Sequence, residues 1–105
     1  MEKFMLVEEV SEPRSFEVTK TDGSKTNVQC VTLVLYDARN RIAADAFDKV
    51  AQSLVEEGVK AGSSLLVDLS FGVRTQTTDR GKFTRNDVRL AGYKIVSKEP
   101  MIVAF

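Results

Sequence analysis

Apolar residues recur at two periods along this chain, and the changes between them divide it into elements. Arg41–Phe47 reads as a short strand. Asp48–Glu57 then takes helical spacing, with Val50, Ala51, Leu54 and Val55 on one face and Lys49, Gln52, Ser53 and Glu56 on the other. Asp48 is expected to cap this helix, its carboxylate accepting an amide hydrogen of the first turn, and Gly58 to supply a left-handed exit. Beyond Gly62 the period returns to two. Leu65, Val67, Leu69, Phe71 and Val73 alternate with their neighbours, the pattern of a strand buried on one side.

The segments on either side of the helix read as strands. Lys3–Val10 is apolar on both faces, with Phe4, Leu6 and Val10 set against Met5, Val7 and Glu9, and Ser11-Glu12-Pro13 breaks it. Phe16–Thr21 and Lys25–Tyr36 flank Asp22-Gly23, a pair that favours the positive backbone angles of a hairpin turn, and Asn27–Tyr36 forms the second long strand. Asp37-Ala-Arg-Asn40 makes the next turn, and Arg41–Phe47 is the third strand. Ser64–Thr77 is the fourth, Thr78-Asp79-Arg80-Gly81 a hairpin tip, and Lys82–Val96 the fifth, with Gly92 marking a bulge. An all-β chain of five strands with one α-helix between strands 3 and 4 has the layout of the five-stranded OB-fold β-barrel. An all-β sandwich would not ask for a helix at that point. Residues 1–105 then make a single domain, with the barrel over 3–96 and an apolar C-terminal extension over 97–105. Met101–Phe105 reads as a last strand, a partner-binding peptide or an interface element.

Composition changes this picture little. A chain of 105 residues is long enough for one core without staples. The single cysteine, Cys30, has no partner for an internal disulfide and is expected to pack as a small apolar residue. The start lacks the regions of a signal peptide and no apolar run reaches the roughly 18 residues of a membrane span, so the cytoplasm is the expected compartment. Formal net charge is zero, but residues 1–70 carry eight Lys/Arg against twelve Asp/Glu while residues 71–105 carry seven against three. The second half is where an anionic ligand is to be sought. There is no histidine, no phosphate-cradling glycine loop and no metal-ligand spacing, and Glu56-Glu57 diverge on the helix. The chain is therefore not expected to be an enzyme, nor to hold a cofactor, a metal or a small-molecule substrate.

Several phrases resemble the bacterial single-stranded DNA-binding proteins. Ala46-Phe47-Asp48-Lys49-Val50-Ala51 followed by Lys60-Ala61-Gly62-Ser63 is similar to the family's passage from third strand through helix to fourth strand. Val73-Arg74-Thr75 and Gly81-Lys82-Phe83-Thr84, with Val88 and Leu90 behind them, resemble its next hairpin. Glu12-Pro13 followed by Thr21-Asp22-Gly23 resembles its first. The likeness covers most of residues 3–96. It implies non-specific binding of single-stranded DNA, or of RNA, in replication, recombination or repair, by a dimer or tetramer, with Phe47 contacting bases and Lys49 as the lysine one step into the helix. The departures are as clear. The chain has no tryptophan; the family's stacking positions fall at Arg41 or Ile42 and at Thr77 or Thr78, and Glu99–Phe105 stands where the family has an acidic tail.

Strand binding needs positive charge along the phosphates and exposed aromatic faces under the bases. Phe83, Arg85 and Arg89 share parity on the fifth strand, with Val88 and Leu90 on its other side. Arg80 and Lys82 stand at the hairpin, and Arg74 lies across on the fourth strand. Arg41 could take a tryptophan's place by laying its planar guanidinium on a base. Tyr36 and Tyr93 suit barrel packing or an oligomer interface, and Asp68, Asp79 and Asp87 would weaken a phosphate groove if they face it. The plain alternative is that the charges are a solvated surface. The missing tryptophans and zero net charge also fit a module of the same fold that binds protein, as a replication or conjugation accessory.

Overall fold

The computed structural model describes residues 1–100, so the readings placed on Met101–Phe105 lie outside the described residues. The elements follow in the order β1 (Glu2–Val10), β2 (Arg14–Thr19), β3 (Lys25–Tyr36), β4 (Arg41–Phe47), α1 (Asp48–Glu56), β5 (Ser64–Thr78) and β6 (Gly81–Ser97). There are six strands rather than five, because the arm before the Asp22-Gly23 turn starts at Arg14 and pairs with β3 over its whole length. At that turn Gly23 has φ of 85°, and the Asp22 carboxylate accepts hydrogen bonds from the Ser24 amide and hydroxyl.

All six strands join one sheet in the order β1-β5-β6-β4-β3-β2, and a further pairing of β1 with β3 closes it into a ring. β2 stays outside the ring, paired among the described residues with β3 alone. Every pairing is antiparallel except β4 with β6, which run parallel and meet at Asp45 opposite Arg89. Alternation decides what the ring encloses. Met5 and Val7 from β1, Val31, Leu33 and Leu35 from β3, Ala44 and Ala46 from β4, and Leu65, Val67, Leu69 and Leu90 from β5 and β6 form one buried cluster. Each fully buried leucine contributes roughly 1.5–3 kcal/mol. α1 packs Ala51 and Leu54 onto that cluster from beside β3, β4 and β6.

Two bulges keep the inward side apolar where the pattern would otherwise slip. In β1 the register passes from Val7 opposite Leu35 to Glu9 opposite Val34, which leaves Glu8 unpaired and turns Val10 inward. In β6, Leu90 pairs with Leu69 and Gly92 with Asp68, so Ala91 is the extra residue. Tyr93 and Ile95 can then follow Leu90 onto the core.

The helix differs from expectation in three ways. Phe47 occupies its N-cap without a side-chain hydrogen bond, and Asp48, with φ of 47°, sends its carboxylate to the Gln29 amide of β3 at 3.2 Å. The carboxylate that would have capped α1 thus ties it to the sheet. The helix ends at Glu56, one residue early, and Val55 lies on its exposed side, leaving Ala51 and Leu54 as the buried pair. The exit follows the expected route through Gly58, φ 71°: its amide donates to Val55 O and that of Val59 to Leu54 O, while Val59 and Leu54 are both buried.

β5 also departs from its pattern. Leu65, Val67 and Leu69 are buried, but Phe71 and Val73 are 57% and 67% exposed. From Phe71 onward β5 and β6 run past the ring as a two-stranded arm, and the molecule reaches 56 Å along its longest axis.

Candidate nucleic-acid interface

Residues opposite each other in a ladder point to the same side, so the register assigns every side chain of the arm to a face. Leu69 and Leu90 face the core. Counting outward from that pair, Arg74 opposite Arg85, Gln76 opposite Phe83, and Asp87 and Arg89 all lie on the outer wall. Lys82, opposite Thr77, falls on the other side of the arm, with Phe71 and Val73. Arg80 sits at the tip, where the Thr78 hydroxyl accepts its amide hydrogen.

The outer wall continues from β6 onto β4. Because Ala44 and Ala46 point inward, Arg41, Asp45 and Phe47 point outward, and the bridge at Asp45 sets β4 beside Arg89. The Arg89 guanidinium lies over the Phe47 ring, 5.0 Å from its centroid. Phe16 of β2 meets the same ring edge to face, with centroids 6.5 Å apart and planes at 83°. Phe16 and Phe83 remain 44% and 55% exposed, so rings stand at both ends of a wall that has Phe47 and Arg89 in its middle.

A polar network lies next to Phe47. The Thr32 hydroxyl donates to Asp45 Oδ1 at 2.6 Å and accepts from Arg14 Nη2 at 2.9 Å, and that same guanidinium is 3.8 Å from Asp45. On β6 the Asp87 carboxylate accepts from Arg89 Nε at 3.3 Å and lies 3.7 Å from Arg74. Asp87 does face the groove, so it offsets part of the charge while holding two arginines in place. Asp68 is turned instead to the N-terminal ammonium, and Asp79 lies in the turn at the tip. Among the described residues Arg80, Lys82 and Arg85 form no ion pair.

Besides Lys82 and Arg80, two further expected contacts lie off the wall. Arg41 is at the far end of β4, about 20 Å of strand from Phe47. Its Nε and Nη2 grip the Glu8 carboxylate at 3.0 and 2.6 Å, and this pairing holds Glu8 below the usual carboxylate range. Lys49 lines a shallow recess on α1 with Ser53, Glu57, Gly92 and Tyr93. There the Tyr93 hydroxyl lies 2.7 Å from the Ser53 hydroxyl and 2.9 Å from Glu57, closing α1 onto β6. Tyr36 borders an apolar cleft with Phe4, Leu6 and Ala38 on the opposite part of the ring. Cys30, opposite Phe47 on β3, is buried, and burial pushes its thiol up, away from reactivity.

The wall thus gathers Phe47, Arg74, Phe83, Arg85 and Arg89 from the expected set, and adds Arg14, Phe16 and Asp45. The added residues were signalled only by the alternation of Arg14, Phe16 and Val18 against Ser15, Glu17 and Thr19 in a strand whose partner face was unknown. No family model and no curated protein matches this chain, so its geometry carries the functional reading.

Proposed function

We propose that the ring is an OB-type barrel and that the chain binds single-stranded DNA, largely without regard to sequence, in the manner of the bacterial single-stranded DNA-binding proteins. The observation that carries this reading is the outer wall from Phe16 through Phe47 and Arg89 to Arg85, Arg74 and Phe83. Exposed rings and guanidinium planes give bases something to stack on, and the arginines meet the phosphates. Arg89, set over Phe47 and held by Asp87, takes the part that Arg41 was expected to play. With no tryptophan, and stacking at about 1–3 kcal/mol per base, one subunit binds modestly. A dimer or tetramer makes later contacts effectively intramolecular, and the outer edge of β2, unpaired among the described residues, and the cleft beside Phe4 offer surfaces for such assembly.

The test is titration of a labelled mixed-sequence strand of about 20 nucleotides. Binding at micromolar concentration or tighter is expected at about 50 mM salt, weakening as salt rises through counterion release, with duplex of the same length bound more weakly. The runner-up is a protein-binding module of the same fold, favoured by the pairing of Arg14, Arg74 and Arg89 with carboxylates. No measurable strand binding at that salt would put it ahead.

A further inference from the structure

Two carboxylates stand on the outer wall, Asp87 between the arginines of β5 and β6 and Asp45 beside Phe47, and the surroundings of Asp45 suggest what it is for. It precedes Phe47 by two residues on the same side of β4, about 7 Å along the strand. It also stands opposite Arg89, whose guanidinium covers the Phe47 ring. Oδ1 is fixed by the Thr32 hydroxyl and approached by Arg14. Oδ2 accepts no hydrogen bond from any described residue, and the side chain is 32% exposed. A base laid on the Arg89–Phe47 stack therefore brings its edge to an oriented acceptor that has a free oxygen.

We infer that Asp45 makes this wall select bases whose edge presents N–H donors, guanine foremost, over thymine. The inference rests on the strand-binding reading and sharpens it. A carboxylate only accepts hydrogen bonds, with lone pairs on both oxygens. Guanine offers a ring N–H and an amino group side by side, a two-donor match. Adenine and cytosine offer an amino group beside an accepting ring nitrogen. Thymine offers one N–H between two carbonyl oxygens, which a carboxylate repels. The carboxylate also weakens the hold on phosphate, so what is lost in general affinity returns as discrimination.

The experiment titrates the full chain, at one low salt concentration, with three labelled strands of equal length: thymine throughout, thymine with isolated guanines, and the same strand with inosine for guanine. Inosine lacks only the amino group. The guanine strand is expected to bind at least about fivefold tighter than the thymine strand, with inosine between them. Asp45→Asn, which preserves shape beside Thr32, is expected to bring the three together by raising affinity for thymine and lowering it for guanine. The comparison of strands on the natural sequence stands even if the variant folds poorly. Thymine bound as tightly as guanine, or a preference that persists in Asp45→Asn, overturns the inference while leaving strand binding intact. Failure to bind any of the three overturns both.

Discussion

The two halves of β5 carry one pattern to opposite ends. Leu65, Val67 and Leu69 have their side chains sealed in the ring, at 0–3% exposure, while Phe71 and Val73 continue the same alternation in the open. The difference lies in what surrounds them. The first half is paired with both β1 and β6 and lies across the ring from β3 and β4, whereas the second, among the described residues, is paired with β6 alone. Alternation states that a strand has two unlike faces, and only the neighbouring elements decide whether the apolar one is covered. The ring thus encloses the core, while the arm leaves its apolar face open.

That division predicts separate consequences for mutations. The largest effect on folding belongs in the ring: Leu65→Ala leaves a cavity among Met5, Val67 and their neighbours and is expected to cost about 2–5 kcal/mol in urea unfolding. Val73→Ala, eight residues along the same strand and on the same parity, is expected to change stability by no more than about 0.5 kcal/mol. Equal losses at the two sites would show that the arm is packed in solution and erase the contrast. Binding should divide the other way. Arg85→Ala combined with Arg89→Ala is expected to weaken strand binding about tenfold or more and to flatten its salt dependence, since the wall loses two positive charges. Its melting temperature should fall by no more than about 5 °C, because the exposed Arg89–Phe47 contact is worth only about 0.5–1 kcal/mol. A steep fall in melting with unchanged binding would return both arginines to the framework.

Much of the ring was legible in the sequence because its signals are local. Period-two runs, Asp22-Gly23 and Gly58 each act within a few residues, and the structure uses them where they stand. The errors came where a distant partner outweighs a local preference. Asp48 had the right position to cap α1, but the Gln29 amide of β3 takes its carboxylate instead. Val55 had helical spacing, but it is left 53% exposed, with no strand over it among the described residues. The site was half legible for the same reason. The Phe83, Arg85 and Arg89 row follows from parity within one strand, whereas the approach of Phe16 and Asp45 to Phe47 and Arg89 depends on β2, β3, β4 and β6 lying side by side in the sheet. Arg41 shares parity with Phe47, yet distance along β4 and the bulge that exposes Glu8 take it out of the wall.

The smallest expected effect concerns acid, and it too separates ring from arm. The Asp37 carboxylate lies in the turn between β3 and β4, where it accepts from Lys3 Nζ of β1 at 2.7 Å and from the Arg39 and Asn40 amides at 2.8 Å. The Lys3 contact first, then the two amides, hold it well below its ordinary value of 3.8. A carboxylate depressed by folding adds stability that is fully present above its unfolded pKa and is lost as pH falls toward the lower folded one. Melting of the natural chain should therefore drop between about pH 5 and about pH 3, and Asp37→Asn should drop less over the same interval while being slightly less stable near neutrality. The pair lies in a surface turn, with the Asp37 side chain half-buried and Lys3 34% exposed, so solvent screens it and the gap is small, a shift of the acid limb rather than a change of fold. Strand affinity at neutral pH should be untouched by this variant, because Asp37 lies with Tyr36 and Ala38 beside the Phe4 cleft, away from the Phe47 wall. An acid limb identical in both proteins would mean that the turn opens before the carboxylate is protonated.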